Sequence, residues 1–289
     1  MTSNIVLFAF RNVKVFFRDR AAVVYSMFAV IIIIALYFLF LGDSIAESVP
    51  EVPNARAVAD SWAMAGLLAV IPVTSTLGAL GLMIQDKISG AIRDFTVSPI
   101  KTHEIVGGYV LSTFIVGIVM SLLGFAFAEA YILSNGGYLL NGAEFAKVMG
   151  IMLLSVASGS AVMFAVALFL NSNNAFSAVN SIVGVMIGFL IGAYIPFGFL
   201  PSGMATVAKF VPATHSASLF RQVMTERHVE NMAAGVPPED ILQFKLDMGI
   251  RLGWGDGLIS PETSIIILAA ACAIFFALAM VKLSIKHKQ

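Results

Sequence analysis

Six stretches of the chain carry no charged or histidine side chain: Ala21–Leu41, Trp62–Ile84, Ile105–Ala128, Val148–Leu170, Ala175–Phe197 and Ile265–Val281. A helix of about 20 residues crosses a hydrocarbon core of about 30 Å, so each stretch predicts a membrane span. Strands of a membrane barrel would be about half as long and would alternate in polarity. Ahead of the first stretch, Ile5, Val6, Ala9, Val13, Phe16 and Phe17 share one helical face, and Arg11, Lys14 and Arg18 share another. Residues 1–20 therefore predict an amphipathic helix lying in a membrane interface. The first apolar run exceeds the roughly 7–15 residues of a secretory signal core, so it is expected to stay as an anchor.

The fold class expected from this pattern is an all-α integral membrane protein. An N-terminal interfacial helix precedes six transmembrane helices in one unit, 21–289. Composition agrees: 59% of the 289 residues are hydrophobic and 12% charged, half the charged share of an ordinary soluble domain, which is roughly a quarter. The net charge is zero and no basic patch interleaves with aromatics, which excludes nucleic acid as a partner. The single cysteine, Cys272, lies inside the last run and excludes a disulfide framework and a cysteine-ligated zinc site.

Positive charge sets the orientation. Arg11, Lys14, Arg18 and Arg20 precede the first run, Lys87, Arg93 and Lys101 separate the second from the third, and Lys282, Lys286 and Lys288 follow the sixth. Both termini and residues 85–104 are thus expected in the cytoplasm, with the chain in the plasma membrane. On the other side Arg56 stands among Asp43, Glu47, Glu51 and Asp60, and Lys147 stands alone. The third outer connection, 198–262, is too long to count in this rule.

Ion-coupled transporters place titratable groups within their spans, and none is found here. Thr74, Ser75 and Thr76 beside Pro72, Ser155 and Ser158, and Ser177, Asn180 and Ser181 can line a path or bond a neighbouring helix, but cannot carry a proton. The phosphate-binding pattern GxxxxGK[ST] is also missing, and no Gly-Lys pair occurs. A working protein of this kind must receive its energy from another chain.

Attention then falls on the polar stretch Gln85–Glu104, between the second and third runs. Ile88, Ile92 and Phe95 recur at helical spacing beside Asp86, Lys87, Arg93 and Asp94, which predicts a short amphipathic helix ending before Ser98 and Pro99. The string "DKISGAIRDFTVSPI" (86–100) resembles the first cytoplasmic loop of ABC transporter permeases of the type-2 exporter family. The N-terminal helix, six spans and long outer connection resemble that family too, as does "FVPATHSASLFRQVM" (210–224), with its proline and its helix ending in Arg221. The resemblance implies that 85–104 is a coupling segment seated in a groove of an ATP-binding subunit. Asp86, Lys87, Gly90, Ser98 and Pro99 would stand at matched or adjoining positions, and Arg93, Asp94 and Phe95 would form the exposed wedge. It also implies a second permease copy, and ATP and Mg used through the partner, with no cofactor on this chain. The expected function is export of an amphipathic substrate such as a drug, antibiotic peptide or lipid-linked molecule, without catalysis by this chain. The alternative is an ATP-independent facilitator, or a scaffold whose outer loop binds a partner.

In the fifth run Gly184, Gly188 and Gly192 follow at intervals of four, and Ser177, Asn180 and Ser181 lie near the same stripe. Small residues at this spacing let helices approach closely in lipid, within the subunit, along the path or at a dimer seam. An inward cavity between spans two and five is expected from the family arrangement. In the outer connection, "GFLPSGMATVAKFVP" (198–212) is expected to dip back into the membrane face. Two amphipathic helices should follow, 214–234 and 238–252, closing at Gly253. His215 and His228 lack clustered partners for a metal, and Glu129 is expected to be an interfacial anchor.

Overall fold

A computed structural model of the chain describes residues 4–37, 39, 55–96, 100–232, 236–255 and 257–286. Nearly all of these residues are helical. In chain order the helices are α1 (Asn4–Arg18), α2 (Arg20–Ser26), α3 (Phe28–Leu36), α4 (Ala55–Ser89), α5 (Ala91–Thr96), α6 (Thr102–Ser134), α7 (Gly142–Ala167) and α8 (Asn173–Leu190). A 3-10 turn at Phe197–Phe199 leads to α9 (Ser202–Ala208), α10 (Pro212–Met232) and α11 (Pro238–Asp247). A small antiparallel hairpin, β1 (Leu252–Trp254) with β2 (Gly257–Ile259), precedes α12 (Pro261–Lys286).

Among the described residues five helices, α4, α6, α7, α8 and α12, are long and apolar enough to cross a membrane, one fewer than the six runs predict. The first run is the exception, because its helix breaks at Met27 into α2 and α3. The Ser26 hydroxyl bonds back to the Val23 carbonyl at 2.7 Å, a pattern that bends helices. A side chain on Gly78 of α4 would meet Ser26 at 2.7 Å, so the break is packed directly on the bundle. The end of that run, at 38 and 40–41, lies outside the described residues.

α4 is the centre of the molecule. Of its most apolar 18 residues 78% are buried, against 11% for α8, which lies on the outside. With 35 residues it is about 50 Å long, longer than a bilayer core. Its close neighbour α6 meets it along Gly117, Ser121, Gly124 and Ala128, all buried. A Cβ on Gly124 would stand 2.1 Å from Ile71 Cδ1, and one on Gly117 would stand 2.9 Å from the Thr76 methyl. Such a row of small residues lets backbones approach where lipid offers no hydrophobic drive between helices.

α1 packs on α6 through Phe8, Ala9, Asn12 and Phe16. The predicted apolar stripe is divided: Ala9 and Phe16 face the bundle, while Val6 and Phe17, with Leu7 and Phe10, remain exposed. The rotation brings Asn12 inside, where its amide donates to the Ser112 hydroxyl at 3.4 Å.

The fifth span ends early. After Leu190 and Ile191, Gly192 adopts φ +68°. The Ala193 N–H reaches the Gly188 carbonyl at 2.8 Å, and the Gly192 N–H reaches Phe189 at 3.0 Å. This double closure is the glycine-terminated helix end, where the left-handed φ favours glycine. Gly192 therefore stops α8 and does not continue its stripe. α11 likewise ends at Gly249, φ +62°, with Ile250 bonded to the Lys245 carbonyl at 2.9 Å, so the predicted helix does not run to Gly253. The hairpin takes its place.

α10 is no surface helix. Residues 213–221 are all buried, and the helix packs against α4, α7 and α12.

Candidate functional site

At the end of the bundle holding α5, the long helix α4 is tied to three other elements just before it stops. Asp86, in its last turn, is buried. Its Oδ2 accepts from Arg11 of α1 at 2.7 Å and from the Tyr109 hydroxyl of α6 at 2.7 Å. Lys87, the next residue, donates to the Leu170 carbonyl at 2.8 Å and to Asn171 Oδ1 at 2.6 Å, just past α7. Gly90 then turns the chain at φ +85°, a conformation open to glycine. The six-residue helix α5 follows on the far side of that bend.

This corrects part of the sequence reading. Asp86 and Lys87 point into the protein's own framework, and Phe95 is not an exposed wedge. Its ring stands edge-on to Phe8 at 5.1 Å and under the Arg11 guanidinium at 5.4 Å. Asp94 is exposed. Gly90 sits at the bend, while Ser98, Pro99 and the side chain of Arg93 lie outside the described residues. At the start of α6, Glu104 accepts from the Lys101 N–H at 2.8 Å and from the Asn4 amide at 3.1 Å, which fastens the other end of the segment to α1. Sequence reasoning missed Arg11, Asn12 and Tyr109, because nothing in a charge pattern shows which acid a flanking arginine will meet.

Beside this assembly opens a cavity of about 1140 Å³. Its walls are the inner halves of α6, α7 and α12, with Met83 and Lys87 of α4 and Ile92 of α5 at the mouth. The wall is mainly apolar. Among the described lining residues Lys87, His103 and Lys282 carry basic side chains and none carries a carboxylate. α8 contributes nothing to it; the space that spans two and five do share is a small one of about 50 Å³, where Ala69, Pro72 and Val73 face Ile187 beside α7 and α10.

Thr74, Ser75 and Thr76 are buried in α4 and return their hydroxyls to carbonyls of the preceding turn. Ser75 bonds Ile71 at 2.6 Å and Thr76 bonds Pro72 at 2.6 Å. Thr74 reaches Val70 at 3.3 Å. These bonds brace the helix around Pro72, whose ring nitrogen has no hydrogen to give. On α8, Ser177 and Ser181 are exposed, and Asn180 and Gly184 are half-buried. A Cβ on Gly184 would touch nothing within 4 Å, whereas one on Gly188 would meet the Tyr194 ring at 2.3 Å. The stripe thus separates, with its first part on an open face and Gly188 closed over by the chain that follows.

The opposite end of the bundle is held by Arg221 of α10. Fully buried, it donates to the Ile191 carbonyl at 3.0 Å and the Gly192 carbonyl at 2.8 Å, and lies 4.6 Å from the Trp62 ring centre. Burial lowers its pKa to about 9, so it stays charged at neutral pH and caps the negative end of α8. Trp62 in turn donates to the Met248 carbonyl at 2.6 Å. Nearby, Asp60 accepts from Tyr37, Arg56 and Tyr131. Glu144 caps the start of α7 and pairs with Arg227 at 2.8 Å. Glu129 is buried near the C-terminal end of α6. His215 donates through Nε2 to the Lys209 carbonyl at 2.9 Å, so its Nδ1 accepts from Ser264 at 3.2 Å. His228 stacks on Tyr138 at 5.4 Å. Among the described residues no three ligating side chains gather into a metal site.

The family described as ABC-2 family transporter protein matches residues 50–281, from five residues ahead of α4 to the last turns of α12. α1, α2 and α3 fall outside the match. No curated protein matches the chain.

Proposed function

This chain belongs to the ABC-2 family of transporter proteins, as a multi-pass membrane permease that associates with an ATP-binding subunit, and we propose that it is the transmembrane half of an ATP-driven exporter for amphipathic molecules. The permease works in the plasma membrane with both termini inside and pairs with a second permease copy. Its exposed α8 face is available for that pairing.

The observation that carries this reading is the way α5 is mounted. It hangs from α4 by the Gly90 bend, and its base is fixed to α1 and α6 through Asp86 and to the α7–α8 turn through Lys87. A push on α5 from a soluble partner therefore reaches four membrane elements at once. Hydrolysis stays on the partner, and this chain converts the movement into opening and closing of a path.

The test is export and ATP hydrolysis measured together in sealed vesicles holding the permease and its ATP-binding subunit. Asp94→Ala, on the exposed face of α5, is expected to leave insertion intact and to separate hydrolysis from export. Undiminished export by that variant removes α5 as the docking element. Uphill movement by the permease alone, without nucleotide, supports the facilitator reading instead.

A further inference from the structure

We propose that the large cavity is a binding site for one anionic membrane lipid of the inner leaflet, held by its chains between α6, α7 and α12 with its phosphate at the mouth. The inference rests on the orientation given above and names a ligand class for this permease.

Three properties of the cavity point to that occupant. The first is depth. The lining runs from Thr102 to Phe114 on α6, from Ala157 to Leu168 on α7 and from Cys272 to Leu283 on α12. Each is twelve or thirteen residues, about 16–18 Å at helical rise. That is about half of a 30 Å hydrocarbon core, the depth of one leaflet. The second is size, since about 1140 Å³ exceeds the roughly 300–1,000 Å³ of pockets for drug-sized ligands. The third is the division of polarity. Phe114, Ala161, Phe164 and Phe276 line an apolar wall, while Lys87, His103 and Lys282 stand at the mouth and none of the described lining residues is an acid. Lys87 and Lys282 already touch the protein, Lys282 over the Phe169 ring at 2.9 Å, so they supply a positive field at a fixed place. A headgroup phosphate meets that field while its chains replace water against the wall. A free phosphate has the charge without the chains, and a zwitterionic lipid has the chains without the net charge.

Cys272 lines the cavity and is the only cysteine in the chain, so its alkylation reports occupancy. The full chain is placed in phosphatidylcholine nanodiscs with increasing phosphatidylglycerol, and N-ethylmaleimide labelling is timed. Phosphatidylglycerol is expected to slow labelling saturably, and added inorganic phosphate to have no effect. Lys282→Gln is expected to raise the half-protecting fraction of phosphatidylglycerol about fivefold, the worth of one basic side chain beside an anionic surface. Native mass spectrometry of the unaltered protein, which depends on no variant, is expected to retain phosphatidylglycerol in preference to phosphatidylcholine. Equal protection by the two lipids, or equal retention, overturns the site. None of these readouts needs nucleotide or the ATP-binding subunit, so the site and the export reading fail on different measurements.

Discussion

Arg11 and Asp86 stand 75 positions apart in the chain and meet at 2.7 Å, with the Tyr109 hydroxyl on the same carboxylate oxygen. The contact joins α1, which lies outside the family match, to the last turn of the most buried helix of the bundle. Because Arg11 is 39% exposed and Asp86 only 8% exposed, the pair is neither a surface ion pair nor a dry one. A double-mutant cycle of Arg11→Gln and Asp86→Asn, read by thermal unfolding in detergent, is expected to give a coupling of about 1 kcal/mol. Asp86→Asn alone is also expected to speed proteolysis within α1.

The row of small residues on α6 makes a sharper claim. Gly124→Leu places a side chain where Ile71 already stands and is expected to cost about 1–3 kcal/mol of stability through overpacking. A Cβ at Gly184 on α8 meets nothing within 4 Å, and Gly184→Leu is expected to leave the unfolding temperature of the single subunit unchanged. Light scattering of the purified protein then tests whether that face pairs two copies, since Gly184→Leu should weaken a dimer seated there.

Arg221 gives a test at the other end. Arg221→Lys keeps the charge but loses the fork that reaches both Ile191 and Gly192. Two charge-assisted bonds are at stake, so a loss of about 3 kcal/mol is expected. Faster cleavage of the segment from Phe197 to Ile259 by added protease should accompany it.

Burial holds His215 and His228 below the ordinary histidine pKa, and Arg227 adds to the effect at His228. Above the unfolded value of about 6.5 both states carry neutral histidine and pH has no effect through these groups. Below it the unfolded chain takes up protons that the folded chain refuses, so stability falls as the pH drops. The unfolding temperature is expected to decline between about pH 6.5 and 5, and His215→Gln to flatten part of that decline.

Much of this architecture was legible from the apolar runs, because a span must be about 20 apolar residues long whatever it packs against. The Gly90 bend was not visible, since the spacing of Ile88, Ile92 and Phe95 reads straight through it as one short helix, whereas Ile88 belongs to α4 and the other two to α5. Register was not legible. A run apolar on every side does not say which face meets protein, so the glycines of the fifth run drew notice while Gly117, Ser121 and Gly124 of the third did the packing. Gly192 belonged to a helix end, which depends on a backbone angle rather than on spacing. The partners of Asp86 and Lys87 were hidden for a different reason. A charged residue at a span end looks solvated until the tertiary contact that buries it is known.

Pro72 lies at the midpoint of α4, with 17 helical residues on either side. Each arm is about 25 Å long, so a change of about ten degrees in the bend carries its tip about 4 Å. One tip bears the Gly90 turn and the other leads through Trp62 to the Met248 carbonyl. The hydroxyls of Ser75 and Thr76 span the joint and set its stiffness. A bend at this one proline, working against two small hydroxyl side chains, would carry a displacement at one face of the bilayer to the other.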